Sequence, residues 1–246
     1  MRILVTGGYG FIGSHALEQL VDKGHTVGCL DINQPSPYVE PFEQHIQHYR
    51  GDVTDPIDVY DIISDFAPDR IIHLASLLGR ESQQDPRRAF EINVMGTVHV
   101  LEAAETLGVQ RVVVASSASA YGTVAPEYDE LTESVPRDPD NIYGLSKFAV
   151  ERLGRTYQEQ DRVEFVAIEP IHGIGPDRRR GNIEDAYIVK AAVSGHSLTI
   201  PNIDYPIELI YVGDEANAFV TAALADSPSY TEYLIGTGDL YTLAEI

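Results

Sequence analysis

The chain has 246 residues, with 38 acidic against 17 basic side chains, a net charge of −21 and a single cysteine, Cys29. That length suffices for one large α/β domain, or one domain with a small appended lobe. The acidic field argues against nucleic acid or an anionic membrane surface as partner, no apolar run approaches the ~18–20 residues that span a bilayer, and one cysteine rules out an intramolecular disulfide.

Taken in chain order, short apolar runs alternate with longer helical patterns. Ile3-Leu4-Val5 predicts a first strand, and Phe11 to Lys23 a helix stopped by Gly24. A second strand follows at Thr26–Leu30 and a weaker third at His45–Tyr49, before a helix over Asp58–Asp65. Arg70–Leu74 predicts a fourth strand, and Pro86–Leu107 one long helix ended by Gly108. Arg111–Ala115 predicts the fifth strand, Tyr143–Gln160 a second long helix and Val163–Ile168 the sixth strand. This alternation is the signature of a doubly wound parallel sheet covered by helices on both faces.

After Pro170 the rhythm changes. The run Gly173-Ile174-Gly175-Pro176-Asp177-Arg178-Arg179-Arg180-Gly181 predicts a loop. Beyond it come a helix over about Glu184–Ser194, short strands near Leu198 and Leu209, a helix over Asp214–Leu224 and a strand near Tyr233. The expected organisation is therefore a dinucleotide-binding Rossmann domain over residues 1–170. A smaller substrate lobe over residues 171–246 interleaves with the sheet's carboxyl edge. Thr242-Leu243-Ala244-Glu245 has the form of a capping box, opening a helix the sequence then leaves after Ile246. The expectation is a lobe truncated here and a longer natural chain.

Gly7, Gly10 and Gly13 have the spacing of a dinucleotide fingerprint, and the turn lies between the first strand and the first helix. Glycine is needed there for a tight turn, for close approach of backbone N–H groups to a pyrophosphate, and for close helix–strand packing. Phe11 and Ile12 complete the turn at the helix N-terminus, whose free amides and positive dipole end favour phosphate. Asp31 ends the second strand, where a carboxylate accepts hydrogen bonds from ribose hydroxyls and repels a 2′-phosphate, favouring NAD over NADP. Asp52, after the third strand, is placed to bond the adenine amino group.

Tyr143 and Lys147 are four residues apart at the start of a helix and so share one face. An isolated phenol has a pKa near ~10; a neighbouring ammonium and the helix N-terminus are expected to lower it towards neutrality. Ser116-Ser117-Ala118-Ser119 leaves the carboxyl end of the fifth strand, where open α/β sheets bind ligands. A serine hydroxyl there can polarise a substrate C–O group beside the tyrosine. The eight histidines show no metal spacing, so no metal site is expected; His73 reads as a satisfied core residue and His172 is assigned no chemistry.

These motifs resemble the extended short-chain dehydrogenase/reductase family, the NAD-dependent epimerase/dehydratase group. The marks are Thr6-Gly7-Gly8-Tyr9-Gly10-Phe11-Ile12-Gly13, Gly51-Asp52-Val53, His73-Leu74-Ala75-Ser76, Asn93-Val94-Met95-Gly96-Thr97, the serine run ending in Tyr121-Gly122, and Tyr143-Gly144-Leu145-Ser146-Lys147. The resemblance implies Ser117, Tyr143 and Lys147 as catalytic residues, Lys147 also holding the nicotinamide ribose. It implies adenine contacts from Asp52 and Val53, ribose contacts from Leu74 and Ala75, support of the active-site helix from Asn93, and a nicotinamide-side segment beginning at Pro170. Two departures stand out: Glu169 occupies a position where the family usually has arginine, and Ile207 one where a diphosphate-gripping arginine is common. The Thr-Asp-Glu triplet of the dehydratase branch is replaced by Ser117-Ala118-Ser119, which disfavours dehydration.

Three readings follow: a sugar or nucleotide-sugar epimerase, which the family likeness favours; a dehydrogenase of a free sugar, uronate or small hydroxy compound, which the missing diphosphate grip favours; and a non-catalytic NAD-binding regulator. The expected partners are a small sugar-type substrate and a second copy of the chain in a homodimer, in a reducing cytoplasm. The carboxylates are spread along the whole chain and only three lysines occur, a pattern expected of adaptation to high salt.

Overall fold

The computed structural model describes residues 1–122, 130–176, 178, 191, 193–197, 199, 204, 206–242 and 245. Its strands, in chain order, are β1 (Arg2–Thr6), β2 (Thr26–Asp31), β3 (Ile46–Arg50), β4 (Arg70–His73), β5 (Arg111–Ala115), β6 (Glu164–Pro170), β7 (His172–Ile174), β8 (Pro206–Tyr211), β9 (Glu232–Ile235) and β10 (Leu240–Thr242). Its α-helices are α1 (Phe11–Asp22), α2 (Pro56–Phe66), α3 (Gly79–Gln84), α4 (Pro86–Ala89), α5 (Gly96–Leu107), α6 (Ile142–Glu159) and α7 (Val212–Leu224). Seven strands form a parallel sheet in the order β3-β2-β1-β4-β5-β6-β9, and β10-β8-β7 form a separate small sheet.

The strands read as continuous apolar runs because both faces of a parallel sheet are covered. On one face α1 and α7 bring Leu17, Leu20, Phe219 and Val220 against Ile3, Val5, Val113 and Val166. On the other, Ile63 and Phe66 of α2, Leu101 of α5 and Val150 of α6 pack on Leu4, Val112 and Val114. Each such fully buried side chain contributes about 1.5–3 kcal/mol.

α7 is held at both ends. Gln19 Nε2 donates to the Gly213 carbonyl at 2.8 Å, tying its start to α1. At its finish the buried Arg111 donates to the carbonyls of Ala222 at 2.8 Å and Ala225 at 2.7 Å. Arg70 donates to Ala225 at 2.9 Å. A helix C-terminus favours cations, which accounts for two guanidinium groups side by side at the amino edge of the sheet.

The predicted elements up to Ile168 are present, with three refinements. α3 was not anticipated, because Gly-Arg-Glu-Ser-Gln-Gln carries no apolar stripe. The long helix over Pro86–Leu107 contains a π-helical turn at Phe90–Met95 between α4 and α5. The third strand begins one residue later than expected, after a short 3₁₀ turn at Glu43–His45.

Beyond Pro170 there is one correction. His172–Ile174, part of a stretch read as loop, is strand β7, because its backbone pairs in parallel with β8. α7 and β9 both follow residue 170 yet belong to the layers of the main sheet, with Leu234 paired to Glu169. The strand expected near Leu198 lies outside the described residues, as does most of the helix expected from Glu184, apart from helical residues at 191, 193 and 194.

Candidate active site

The strand order reverses between β1 and β4, the switch point at which open α/β sheets bind ligands beyond their carboxyl ends. The glycine turn leaves β1 there. Gly7 has φ +68°, and a Cβ on it would lie 2.6 Å from the Ala75 nitrogen, so the Leu74–Ala75 backbone passes directly against the turn. A Cβ on Gly13 would lie 2.4 Å from the Gly7 carbonyl oxygen. The turn therefore closes on α1 with no room for a side chain, leaving Gly10 exposed as the helix N-cap and Phe11 and Ile12 partly buried in its first turn. This is the cradle that a pyrophosphate requires.

Asp31, at the end of β2, accepts from the Tyr9 N–H at 3.0 Å and from Asn33 N and Nδ2 at 2.9 Å each. Its carboxylate is thereby fixed at the rim of the turn. Asp52 and Val53 follow β3, and Gly51 N donates to the Asp31 carbonyl, so the two aspartates lie side by side along the strand ends. Burial raises the Asp52 pKa, but the Thr54 N–H and the Arg88 guanidinium outweigh it and hold the carboxyl below its ordinary range. Val53 packs against Gly96 at the start of α5.

Tyr143 stands in the first turn of α6, which begins because Asn141 Oδ1 accepts from the Gly144 N–H at 2.9 Å. Lys147 lies one turn on; its Nζ is 5.5 Å from the Tyr143 ring centre and donates to the Ala115 carbonyl at 2.7 Å. Ser117 caps the 3₁₀ turn that leaves β5, and its hydroxyl lies close enough to Tyr143 to draw the phenol's pKa down. The three residues named from the sequence thus converge at the carboxyl edge of β5.

The electrostatics differ from the sequence expectation. Burial pushes the Tyr143 phenol up to about 12, the Ser117 hydroxyl lowers it in part, and the charge of Glu215 raises it further. Lys147 is not among the causes. Its own pKa is pulled down to about 7 by burial, opposed by Glu151. Desolvation outweighs the ion–phenol interaction, with Lys147 buried and Tyr143 partly buried.

A buried polar layer supports this trio. Asn93, in the π-helical turn, accepts from the Leu77 N–H at 2.7 Å and donates to the Leu77 carbonyl at 3.0 Å and to Ser146 Oγ at 2.9 Å. It therefore ties the segment after β4 to α6. His73 bridges Thr6 Oγ1 at 2.6 Å and Thr97 Oγ1 at 3.1 Å, and burial lowers its pKa to about 3. It is a neutral structural imidazole.

Sequence reasoning missed a second layer. Glu151, one turn after Lys147, accepts from Ser116 Oγ, and burial together with the nearby Glu169 raises its pKa to about 7. Glu169 accepts from Tyr121 Oη at 2.7 Å and Arg137 Nη2 at 2.7 Å. Arg137 also lies 3.4 Å from Glu151 and 3.7 Å from Glu232, with its guanidinium over the Tyr121 ring. The carboxylate that replaces an arginine at position 169 is thus neutralised by an arginine from a different segment. The available signal was positional: Glu151 falls on the buried stripe of α6 with Lys147, Val150 and Gly154.

Pro170 is buried at the end of β6, and the chain continues into β7. Arg178 Nη1 reaches His172 Nε2 at 3.1 Å and the Gly173 carbonyl, and its guanidinium lies 5.6 Å from the Phe11 ring centre. Arg179 and Arg180 lie outside the described residues. Among the described residues no group of three His, Cys, Asp or Glu side chains is arranged to hold a metal ion, and no helix is long and apolar enough to cross a membrane.

With this geometry in view, the comparisons are specific. The chain matches the model of the NAD dependent epimerase/dehydratase family over residues 3–236. It is 30% identical over 239 residues to the UDP-glucose 4-epimerase of Lacticaseibacillus casei, a match covering 90% of this chain and 71% of that protein. Against the UDP-glucose 4-epimerase of Bacillus subtilis (strain 168) it is 30% identical over 275 residues, covering 100% of this chain and 80% of the relative. The crystal structure of Thermus thermophilus UDP-glucose 4-epimerase in complex with NAD matches with a TM-score of 0.88 at 30% identity, over 99% of this chain and 80% of that one.

Proposed function

Because the chain belongs to the NAD-dependent epimerase/dehydratase family over nearly its whole length, we propose that it is an NAD-dependent nucleotide-sugar epimerase in which Tyr143 exchanges the proton of the reacting alcohol. The observation that carries this reading is the convergence of Tyr143, Ser117 and Lys147 beside the strand-order switch that presents the glycine turn. The curated relatives and the solved neighbour above, all UDP-glucose 4-epimerases, support the substrate class.

The residues present fit NAD. The side-chain-free cradle of Gly7, Gly10 and Gly13 would take the pyrophosphate, with Phe11 and Ile12 in the helix turn behind it. Asp31 would take the adenosine ribose, with Asp52 and Val53 at the adenine. Leu74, Ala75 and Lys147 would lie along the nicotinamide ribose, Asn93 would hold α6 in place, and Pro170 would border the ring. When bound, NAD supplies a hydride acceptor that also returns the hydride.

The protein's own groups do the rest. Tyr143 takes the hydroxyl proton as the C–H electron pair leaves the carbinol carbon, and gives it back when the pair returns to the other face. Ser117 holds the same oxygen, so the alcohol and the intermediate ketone keep one hydrogen-bonding partner throughout. Lys147, anchored on the Ala115 carbonyl, keeps an amine that gains and loses its proton near pH 7 one helical turn from the phenol. The reading includes a homodimer through α5 and α6, beside which Met95 and Leu145 are exposed.

Incubating the purified chain with NAD and UDP-glucose, while following sugar products and reduced cofactor, tests the reading. The expected result is UDP-galactose with no net NADH. The alternative, a net dehydrogenase, has one observation behind it: β8 carries Ile207, not a cation, where a diphosphate grip is common. Stoichiometric NADH from a free sugar or uronate would establish that alternative and remove the epimerase.

A further inference from the structure

α7 buries Ala216, Phe219, Val220 and Ala223 against α1 and the sheet, with Val212 buried at its start. Glu215, four residues before Phe219, falls on the same buried stripe and is only 2% exposed. A leucine would fit such a position without cost, whereas a buried carboxyl without hydrogen bonds is unfavourable. Its Oε2 is buried and has no hydrogen-bond partner among the described residues. That unmet group is what a ligand would satisfy.

The location narrows the ligand. The carboxyl lies flat on Gly173 of β7: a Cβ there would come within 2.2 Å of Oε2, so glycine at this position makes the room. On one side Glu215 acts electrostatically on Tyr143. On the other it feels Arg178, whose guanidinium stands over Phe11 in the first turn after the glycine cradle. The carboxyl therefore lies within electrostatic reach of both the proton-exchanging phenol and the guanidinium beside the glycine turn. A dinucleotide with its phosphates at that turn and its reactive ring at the phenol would bring its nicotinamide within reach of the carboxyl.

Resting on the cofactor reading above, we propose that the Glu215 carboxyl pairs with the nicotinamide carboxamide and so orients the ring against Tyr143. A primary carboxamide offers one N–H donor and the carbonyl acceptor on one edge, its second N–H pointing away. A neutral carboxyl offers one O–H and one carbonyl, which makes a two-point pair with that edge. Burial pushes the Glu215 carboxyl up to about 8, against the pull of Arg178, so the neutral form prevails at neutral pH. Ionised phosphate oxygens, acceptors only, present no matching donor–acceptor edge.

Calorimetric titration with three probes tests this: NAD, ADP-ribose, which lacks the nicotinamide, and 3-acetylpyridine adenine dinucleotide, whose acetyl group lacks the N–H donors. The wild type should bind NAD about tenfold more tightly than the acetylpyridine analogue. Glu215→Leu should lose about tenfold in NAD affinity, bind ADP-ribose as before and cease to distinguish NAD from the analogue. Glu215→Gln, which keeps a donor and an acceptor, should retain most of the preference. Equal weakening of NAD and ADP-ribose in Glu215→Leu, or a preference that survives in it, overturns the proposal. Equal affinity of the wild type for NAD and the analogue does the same without any variant. Failure of folded wild type to bind NAD at all would instead remove the cofactor reading on which the proposal rests.

Discussion

The Lys147 ammonium lies 5.5 Å from the centre of the Tyr143 ring, and its Nζ donates to the Ala115 carbonyl at 2.7 Å. The two residues share one face of α6, and burial moves them in opposite directions, the phenol up to about 12 and the lysine down to about 7. A pocket in that state holds its proton on the tyrosine. Positive charge brought in by an oxidised nicotinamide favours the phenolate, which would couple the acidity of Tyr143 to the presence of the cofactor.

Replacing Tyr143 with phenylalanine keeps the ring and its packing while removing the exchangeable proton. Turnover should fall by ~10²-fold or more, with NAD affinity unchanged. Steady-state rates on UDP-glucose beside calorimetric NAD binding measure both quantities. A variant that turns over at the wild-type rate would exclude Tyr143 from proton exchange.

Lys147→Met tests the burial of the ammonium through stability. The folded lysine has a pKa near 7, well below the ~10.4 of an unfolded lysine, so over that window the unfolded chain binds more protons. Wild-type stability attributable to this group therefore rises as pH climbs from about 7 towards 10. The methionine variant should gain most over wild type at about pH 6, and the gap should narrow as pH rises through that window. Urea unfolding at several pH values gives the comparison, and a constant gap would contradict the inverted pKa.

Arg137 lies within ion-pair distance of three buried carboxylates, Glu151, Glu169 and Glu232. Truncation to alanine leaves Glu151 and Glu169 without an ion-pair partner among the described residues, while Glu232 keeps Arg155, and should cost about 3–5 kcal/mol. Combining it with Glu169→Gln should recover part of that loss, because one stranded charge is removed with its partner. Additive losses in the double variant would mean that the pair does not interact.

Gly13→Ala places a methyl group 2.4 Å from the Gly7 oxygen and 2.7 Å from the Gly8 Cα. Both are backbone atoms, so α1 must shift away from the turn, at a cost of about 1–3 kcal/mol for the overpacking. NAD affinity should fall more sharply than stability, because the amides lose their common aim. Thermal unfolding and NAD titration of the same preparation separate the two effects.

The net charge of −21 predicts a melting temperature that rises with added salt as mobile ions screen self-repulsion. A scan from low to molar potassium chloride checks it. A flat response would speak against adaptation to a saline interior.

The parts legible in the sequence were those encoded by neighbours along the chain. Gly7 to Gly13 declares a turn by its spacing, and Tyr143 and Lys147 share a face through helical geometry alone. Arg137 was invisible as a partner of Glu169 because only the folded chain brings a loop residue to the end of β6. Glu215 could have been noticed as a carboxylate on an apolar stripe, but its significance depends on Gly173, which belongs to a segment that reads as a turn. β7 was hidden for a related reason: a Gly-Ile-Gly stretch has little strand character until β8 supplies its hydrogen bonds. The π-helical turn around Asn93 leaves no mark in residue type, and its side-chain partners Leu77 and Ser146 are distant in the sequence.

The pairing of Glu169 with Leu234 has a consequence for how the molecule is made. During translation β6 emerges well before β9, and until then its outer edge offers open backbone donors and acceptors. An exposed edge of that kind invites pairing with other nascent chains, and late long-range pairing is slow to form. The ribosome must deliver the last strand before the sheet can seal, so chains cut short ahead of Glu232 should be the ones that aggregate or need a chaperone.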